Sequence, residues 1–184
     1  MNDVNKLANL TLAPYIIKAT ALIGVSRKVG GNQFRHVFAT LGILLDYKYF
    51  GEDILLKASL LHDLVEDVPA TDIHAIRCIE PQAGKVVDLM LEVTRSETES
   101  REEYLKRILE HGSRNAKLLK VADRISNLTD LHRDIFSENK MMAYLSETEK
   151  FIIPMAKQVN LNMVIELKDL IQRKREYLKA LRQK

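Results

Sequence analysis

Apolar residues recur along nearly the whole chain at spacings of three and four, and no stretch alternates strictly between apolar and polar positions. Pro14 suits the first turn of a helix continued by YIIKATALIGV, and VGG at 29–31 breaks it. A second helix is expected from about Gln33 to Leu45, and YFGED connects it to a third that carries LLHDLVEDV. Pro69 stops that helix, and the Thr71 hydroxyl can cap the next. Pro81 opens a helix over QAGKVVDLMLEV that ends near RSETES. Ser100 with Glu103 forms a capping-box pattern before EYLKRILEH, and Ser146 with Glu149 forms a second before KFIIPMAKQV. Gly112 separates KRILEH from NAKLLKVADRISNL. The pattern predicts an all-α, compact helical bundle: one domain over residues 1–184, with helices from about 140 to 184 packing on or extending the core. No repeat, low-complexity tract or long linker divides it.

Composition narrows the class. A chain of 184 residues can bury one substantial core, and 46% hydrophobic with 29% charged residues is ordinary for a water-soluble globule. Seven glycines and four prolines argue against an all-β or disordered chain. The single cysteine, Cys78, leaves no internal disulfide and suits a reducing, cytoplasmic setting. The apolar stretch from Leu12 to Val25 contains Lys18, lacks a cleavage-like pattern and is too short to span a bilayer, so neither a signal peptide nor a membrane is expected. The net charge is +3, but from Glu166 onward seven Lys/Arg face three Asp/Glu, so the excess sits in a terminal helix whose solvent face is well hydrated. Nucleic acid is therefore not the expected partner. A helical surface of mixed charge can assemble into a homo-oligomer, although no heptad run sets a stoichiometry.

The candidate chemistry lies where charge interrupts apolar helices. His62, Asp63, Glu66 and Asp67 crowd into six positions among Leu60, Leu61, Leu64 and Val65. On a helix His62 shares a face with Glu66 and Asp63 with Asp67, and three neighbouring carboxylates without a cation repel one another. RKVGGNQFRH brings His36, and KVADRISNL places Asp123 in an apolar helix with Asn127 one turn on. Two histidines and two aspartates from separate helices make a divalent-metal site whose imidazole and carboxylate donors suit Mn²⁺, Fe²⁺ or Zn²⁺. His74, His111 and His132 are assigned surface or packing roles.

The ordered set H…HD…D resembles the HD superfamily of metal-dependent phosphohydrolases. More narrowly it resembles the (p)ppGpp hydrolase domain of the RelA/SpoT homologues and the small alarmone hydrolases, through RKVG…H, LLHDLVEDV, ATDIHAI, EVT and KVADRISNL. The resemblance implies an HD-domain helical bundle with His36, His62, Asp63 and Asp123 as metal ligands and manganese as the ion. It implies that Glu66 and Asp67 orient and deprotonate the attacking water, with Glu66 the principal acid/base. Arg27 and Lys28 match residues at the base and phosphates, and Asn127 one that bonds the ribose. The implied reaction releases pyrophosphate from the 3′ position of guanosine tetraphosphate or pentaphosphate. The chain departs from the family pattern at Gln33, Val37 and Ser126, positions that bear on base recognition. Two other readings use the same residues: phosphohydrolysis of another nucleotide, such as a nucleoside monophosphate or NADPH, and a non-catalytic nucleotide-binding module.

Overall fold

The computed structural model describes residues 3–131 and 137–182, and among them every regular element is helical. In chain order these are α1 (Asp3–Ala8), α2 (Ala13–Ala19), a 3₁₀ turn (Thr20–Gly24), α3 (Gln33–Asp46), α4 (Asp53–Ser59), α5 (Leu64–Asp67), α6 (Ile73–Arg77) and α7 (Ala83–Glu92). Then follow α8 (Arg101–His111), α9 (Arg114–Asp130), α10 (Glu138–Glu147), a π-helical turn (Thr148–Ile152), α11 (Ile153–Val159) and α12 (Leu161–Arg182). No helix among the described residues is long and apolar enough to cross a membrane. His132 lies outside the described residues.

Helix α9 forms the axis of the core. Leu118, Leu119, Val121, Ala122 and Ile125 are buried against Val37, Leu41 and Leu44 of α3 and against Met155 and Ala156 of α11. The same helix buries Asp123, Arg124 and Ser126, three polar side chains in four positions, which an apolar core tolerates only where partners are built around them. Helix α12 closes the bundle with Met163, Leu167 and Ile171 buried, while Arg175 forks onto Glu149 at 2.8 and 2.6 Å.

Local chemistry explains the boundaries, including three that differ from the sequence reading. Ser100 accepts from Glu103 N, and Glu103 reaches back to Ser100 N, so the first capping box forms as expected. The second does not form: Ser146 lies inside α10, which runs on into the π turn, and Glu149 faces Arg175 instead. Pro154 follows that wide turn at the start of α11, where its missing N–H costs nothing. Before α6, Asp72 rather than Thr71 supplies the cap, accepting from Ala75 N, while the Thr71 hydroxyl donates to Val68 O.

The third correction concerns LLHDLVEDV, which is not one continuous helix. Helix α4 ends at Ser59; Leu60, Leu61 and Leu64 then donate to carbonyls only three residues back, at Lys57, Ala58 and Leu61. This tighter winding breaks the 100° stagger between neighbours. The i, i+4 pairing of His62 with Glu66 therefore does not describe the local geometry, and His62 and Asp63 project from a turn.

Candidate metal centre and its pocket

Three elements deliver the ligand candidates to one point. Helix α3, capped by Asn32 accepting from Arg35 N, presents His36. The turn between α4 and α5 presents His62 and Asp63, and α9 presents Asp123. His36 Nε2 lies 3.1 Å from Asp123 Oδ1 and 3.5 Å from Asp63 Oδ2. His62 Nε2 lies 3.3 Å from Asp63 Oδ1 and 3.9 Å from Asp123 Oδ1. One donor atom each from His36, His62 and Asp123 falls within a 4.8 Å span, only slightly more than two metal–ligand bonds of about 2.1 Å.

The outer contacts orient the rings toward that point. His62 Nδ1 donates to Ser59 O at 2.8 Å, so neutral His62 carries its lone pair on Nε2. No hydrogen bond satisfies that buried Nε2 among the described residues, and such an orphaned atom beside two carboxylates fits a cation. His36 Nδ1 is 3.0 Å from the Ser126 hydroxyl. Burial opposes the imidazolium of His62, yet Asp63 and Asp123 outweigh it and push its pKa up to about 9. Burial alone would raise the Asp123 carboxyl; Lys120 and the two imidazoles instead hold it well below the usual carboxylate range. His36, His62 and Asp123 can thus hold a divalent metal ion, with Asp63 beside them.

A cavity of about 280 Å³ opens over these groups and is lined by Asp63, His36 and Asp123 together with Arg101, Lys120 and Arg124. Tyr144 forms part of its wall, with the Arg124 guanidinium 4.0 Å and that of Arg101 5.5 Å from its ring centre. Acids and imidazole sharing one cavity with three cations suit a metal-bridged phosphate ester.

The remaining sequence candidates are placed less uniformly. Arg27 lines the cavity but is latched, donating to Asn127 Oδ1 at 2.8 Å and Asp130 Oδ2 at 3.2 Å. The loop that holds it turns through Gly30 and Gly31 at φ 85° and 74°, which a side chain would strain. Asn127 also donates to Asp123 Oδ1, so it links the substrate-binding set to a ligand carboxylate. Lys28 is exposed and does not line the cavity. Asp67 accepts from Gln33 Nε2 at 2.7 Å, and burial, then Asp63, raises its pKa above the ordinary value. Glu66 accepts from Arg95 N at 2.7 Å and lines a smaller adjoining cavity of about 140 Å³ rather than the main one.

The sequence reading missed the cationic wall. Lys120 stands one turn before Asp123 within KVADRISNL, so helical spacing pointed to it, whereas Arg101 and Tyr144 arrive from distant elements that periodicity does not connect.

Comparison with known proteins places this architecture. No family model matches the chain. It is 31% identical over 155 residues to a probable guanosine-3′,5′-bis(diphosphate) 3′-pyrophosphohydrolase of Synechocystis, covering 78% of this chain and 19% of that protein. It is 27% identical over 151 residues to the GTP pyrophosphokinase rsh of Brucella ovis, covering 78% of this chain and 20% of that one. The chain thus spans about a fifth of the length of these bacterial relatives. A guanosine-3′,5′-bis(diphosphate) 3′-pyrophosphohydrolase of Mus musculus is 31% identical over 121 residues, 62% of this chain and 66% of that protein. A solved structure, described as a metazoan ortholog of SpoT that hydrolyzes ppGpp, superposes with a TM-score of 0.76 at 23% identity over 89% of this chain and 94% of the other, a likeness of fold. The chain is thus a homologue of the alarmone hydrolases, and it shares the all-α fold of the solved relative.

Proposed function

We propose that the protein is a manganese-dependent guanosine-3′,5′-bis(diphosphate) 3′-pyrophosphohydrolase that releases pyrophosphate and leaves GDP or GTP. The observation that carries this reading is the convergence of His36, His62, Asp63 and Asp123 at a cavity that three cations also line. Relatives named for this reaction support the choice of substrate.

A divalent ion held by the four ligands supplies positive charge to the phosphate oxygens and lowers the pKa of bound water. The chain's own residues do the rest. Glu66 and Asp67 form the acid pair beside the ligands, and they take the proton of the attacking water and return one to the departing 3′ oxygen. The oxygen of water ends on the released pyrophosphate, and the bond between phosphorus and the 3′ oxygen breaks. Arg27, once released from Asn127 and Asp130, offers a planar guanidinium to a purine face, and Asn127 is then free to bond the ribose. Lys28, exposed on the same loop, neutralises an outer phosphate.

The test is a product assay. Metal-stripped protein reloaded with Mn²⁺ should convert guanosine tetraphosphate into equimolar GDP and pyrophosphate, and Asp63→Ala should abolish it. Turnover of NADPH or a nucleoside monophosphate, with guanosine tetraphosphate untouched by loaded protein, would overturn the substrate and leave the metal centre standing.

A further inference from the structure

We propose that Lys120 is a catalytic residue, its ammonium binding the scissile diphosphate beside the metal ligands. This rests on the hydrolase reading above and adds a residue outside the ligand set and the acid pair. Lys120 stands one helical turn before Asp123, with Nζ 2.6 Å from Asp123 Oδ2. The other carboxylate oxygen, Oδ1, faces His36 at 3.1 Å and His62 at 3.9 Å. The two edges of one carboxylate are therefore divided between the metal site and the ammonium.

The surroundings single this cation out. Arg101, Lys120 and Arg124 each line both the main cavity and the smaller one that contains Glu66 and Arg95. The Arg124 guanidinium is committed to Thr148 Oγ1 at 2.7 Å and Glu147 Oε1 at 2.6 Å. Arg101 forks onto Glu147 at 2.6 and 3.0 Å. Lys120 has three donor positions, of which Asp123 takes one, and its Nζ rests 5.2 Å over the Tyr104 ring. Lys120 thus lines both cavities, its ammonium next to the ligand carboxylate.

Metal binding alone does not account for a lysine in this place. A cation paired to a ligand carboxylate repels a divalent ion at close range and weakens its binding. A diphosphate reverses that balance, because its charge exceeds what one divalent ion neutralises. In the reaction Lys120 transfers no proton; it donates hydrogen bonds to non-bridging oxygens while the bond to the 3′ oxygen breaks.

Three readings on Lys120→Met, Lys120→Gln and Lys120→Arg test this, each with the folded fraction checked by circular dichroism. Titration of metal-stripped Lys120→Met with Mn²⁺ should show binding about 3- to 10-fold tighter than wild type, since a like charge is gone. Inorganic pyrophosphate should bind the loaded variant about 10-fold more weakly or worse, and kcat/KM on guanosine tetraphosphate should fall about 10²- to 10³-fold. Lys120→Arg should recover part of the pyrophosphate binding, and Lys120→Gln repeats the comparison if methionine impairs folding. Weaker Mn²⁺ binding, with full turnover regained at saturating metal, would overturn the proposal and reduce Lys120 to a support for Asp123. If wild type releases no pyrophosphate from the nucleotide, the hydrolase reading fails, while the Mn²⁺ and pyrophosphate titrations still decide the role of Lys120.

Discussion

Replacing Glu147 by alanine removes three charge-assisted bonds at once, from Arg101 Nε at 2.6 Å, Arg101 Nη2 at 3.0 Å and Arg124 Nη2 at 2.6 Å. The two arginines do not contribute equally. Arg101 is 57% exposed, so its share is that of a well-formed surface pair, about 0.5–1 kcal/mol. Arg124 is 1% exposed, and without Glu147 its guanidinium keeps, among the described residues, Thr148, the Tyr144 carbonyl and the Tyr144 ring. Breaking a fully buried pair from one side costs about 3–5 kcal/mol; the partners left to Arg124 and the partial exposure of Glu147 reduce this to about 2–3 kcal/mol. The sum, about 2.5–4 kcal/mol, corresponds to a fall in Tm of roughly 5–16 °C for a chain of this size. Urea unfolding should show it as a lower midpoint at unchanged slope. Acid sharpens the test. Burial raises the Glu147 carboxyl, but Arg101 and Arg124 outweigh it and hold its pKa below the ordinary 4.5. A carboxyl depressed on folding stabilises above its unfolded pKa and loses that contribution as pH falls through the folded value. The wild-type and Glu147→Gln curves should therefore converge below about pH 4.5. A loss under about 1 kcal/mol for Glu147→Ala at neutral pH would refute the reasoning, because it would mean that Arg124 is satisfied without its carboxylate.

Three further substitutions have definite expectations. Ser126→Ala removes the hydroxyl at His36 Nδ1 and should weaken Mn²⁺ binding about 10- to 100-fold by titration, with little change in Tm. Glu80→Ala strips the shared acceptor from buried Lys57 Nζ and Tyr15 OH, at 2.6 and 2.8 Å, and should cost about 2–4 kcal/mol in urea unfolding. Gly112→Ala brings a Cβ against the Ile108 carbonyl oxygen at the end of α8 and should cost about 1–3 kcal/mol by the same measurement.

The chain's own pattern revealed much of this architecture, and the places where it misled have physical causes. Helices α3, α7, α8 and α9 follow from apolar spacing and from caps such as Ser100 with Glu103, because those signals act within one turn. The break at Leu60–Asp63 was invisible because the same leucines suit an α-helix or a tighter turn, and only packing around His62 selects between them. Ser146 misled for the opposite reason: a capping pattern formed within a helix that tertiary contacts carry onward. The ligand candidates were legible as charged residues in apolar surroundings, whereas the Arg101–Glu147–Arg124 bridge joins positions 46 and 23 residues apart and leaves no local mark.

The most direct measurement counts the metal. Metal-stripped wild type, His62→Ala and Asp123→Ala are titrated with Mn²⁺ by calorimetry at one pH, with folding verified for each. If His36, His62, Asp63 and Asp123 form one centre, wild type takes up a single ion per chain and both variants bind none in the same range. One ion per chain in all three proteins would place the metal elsewhere and contradict the account.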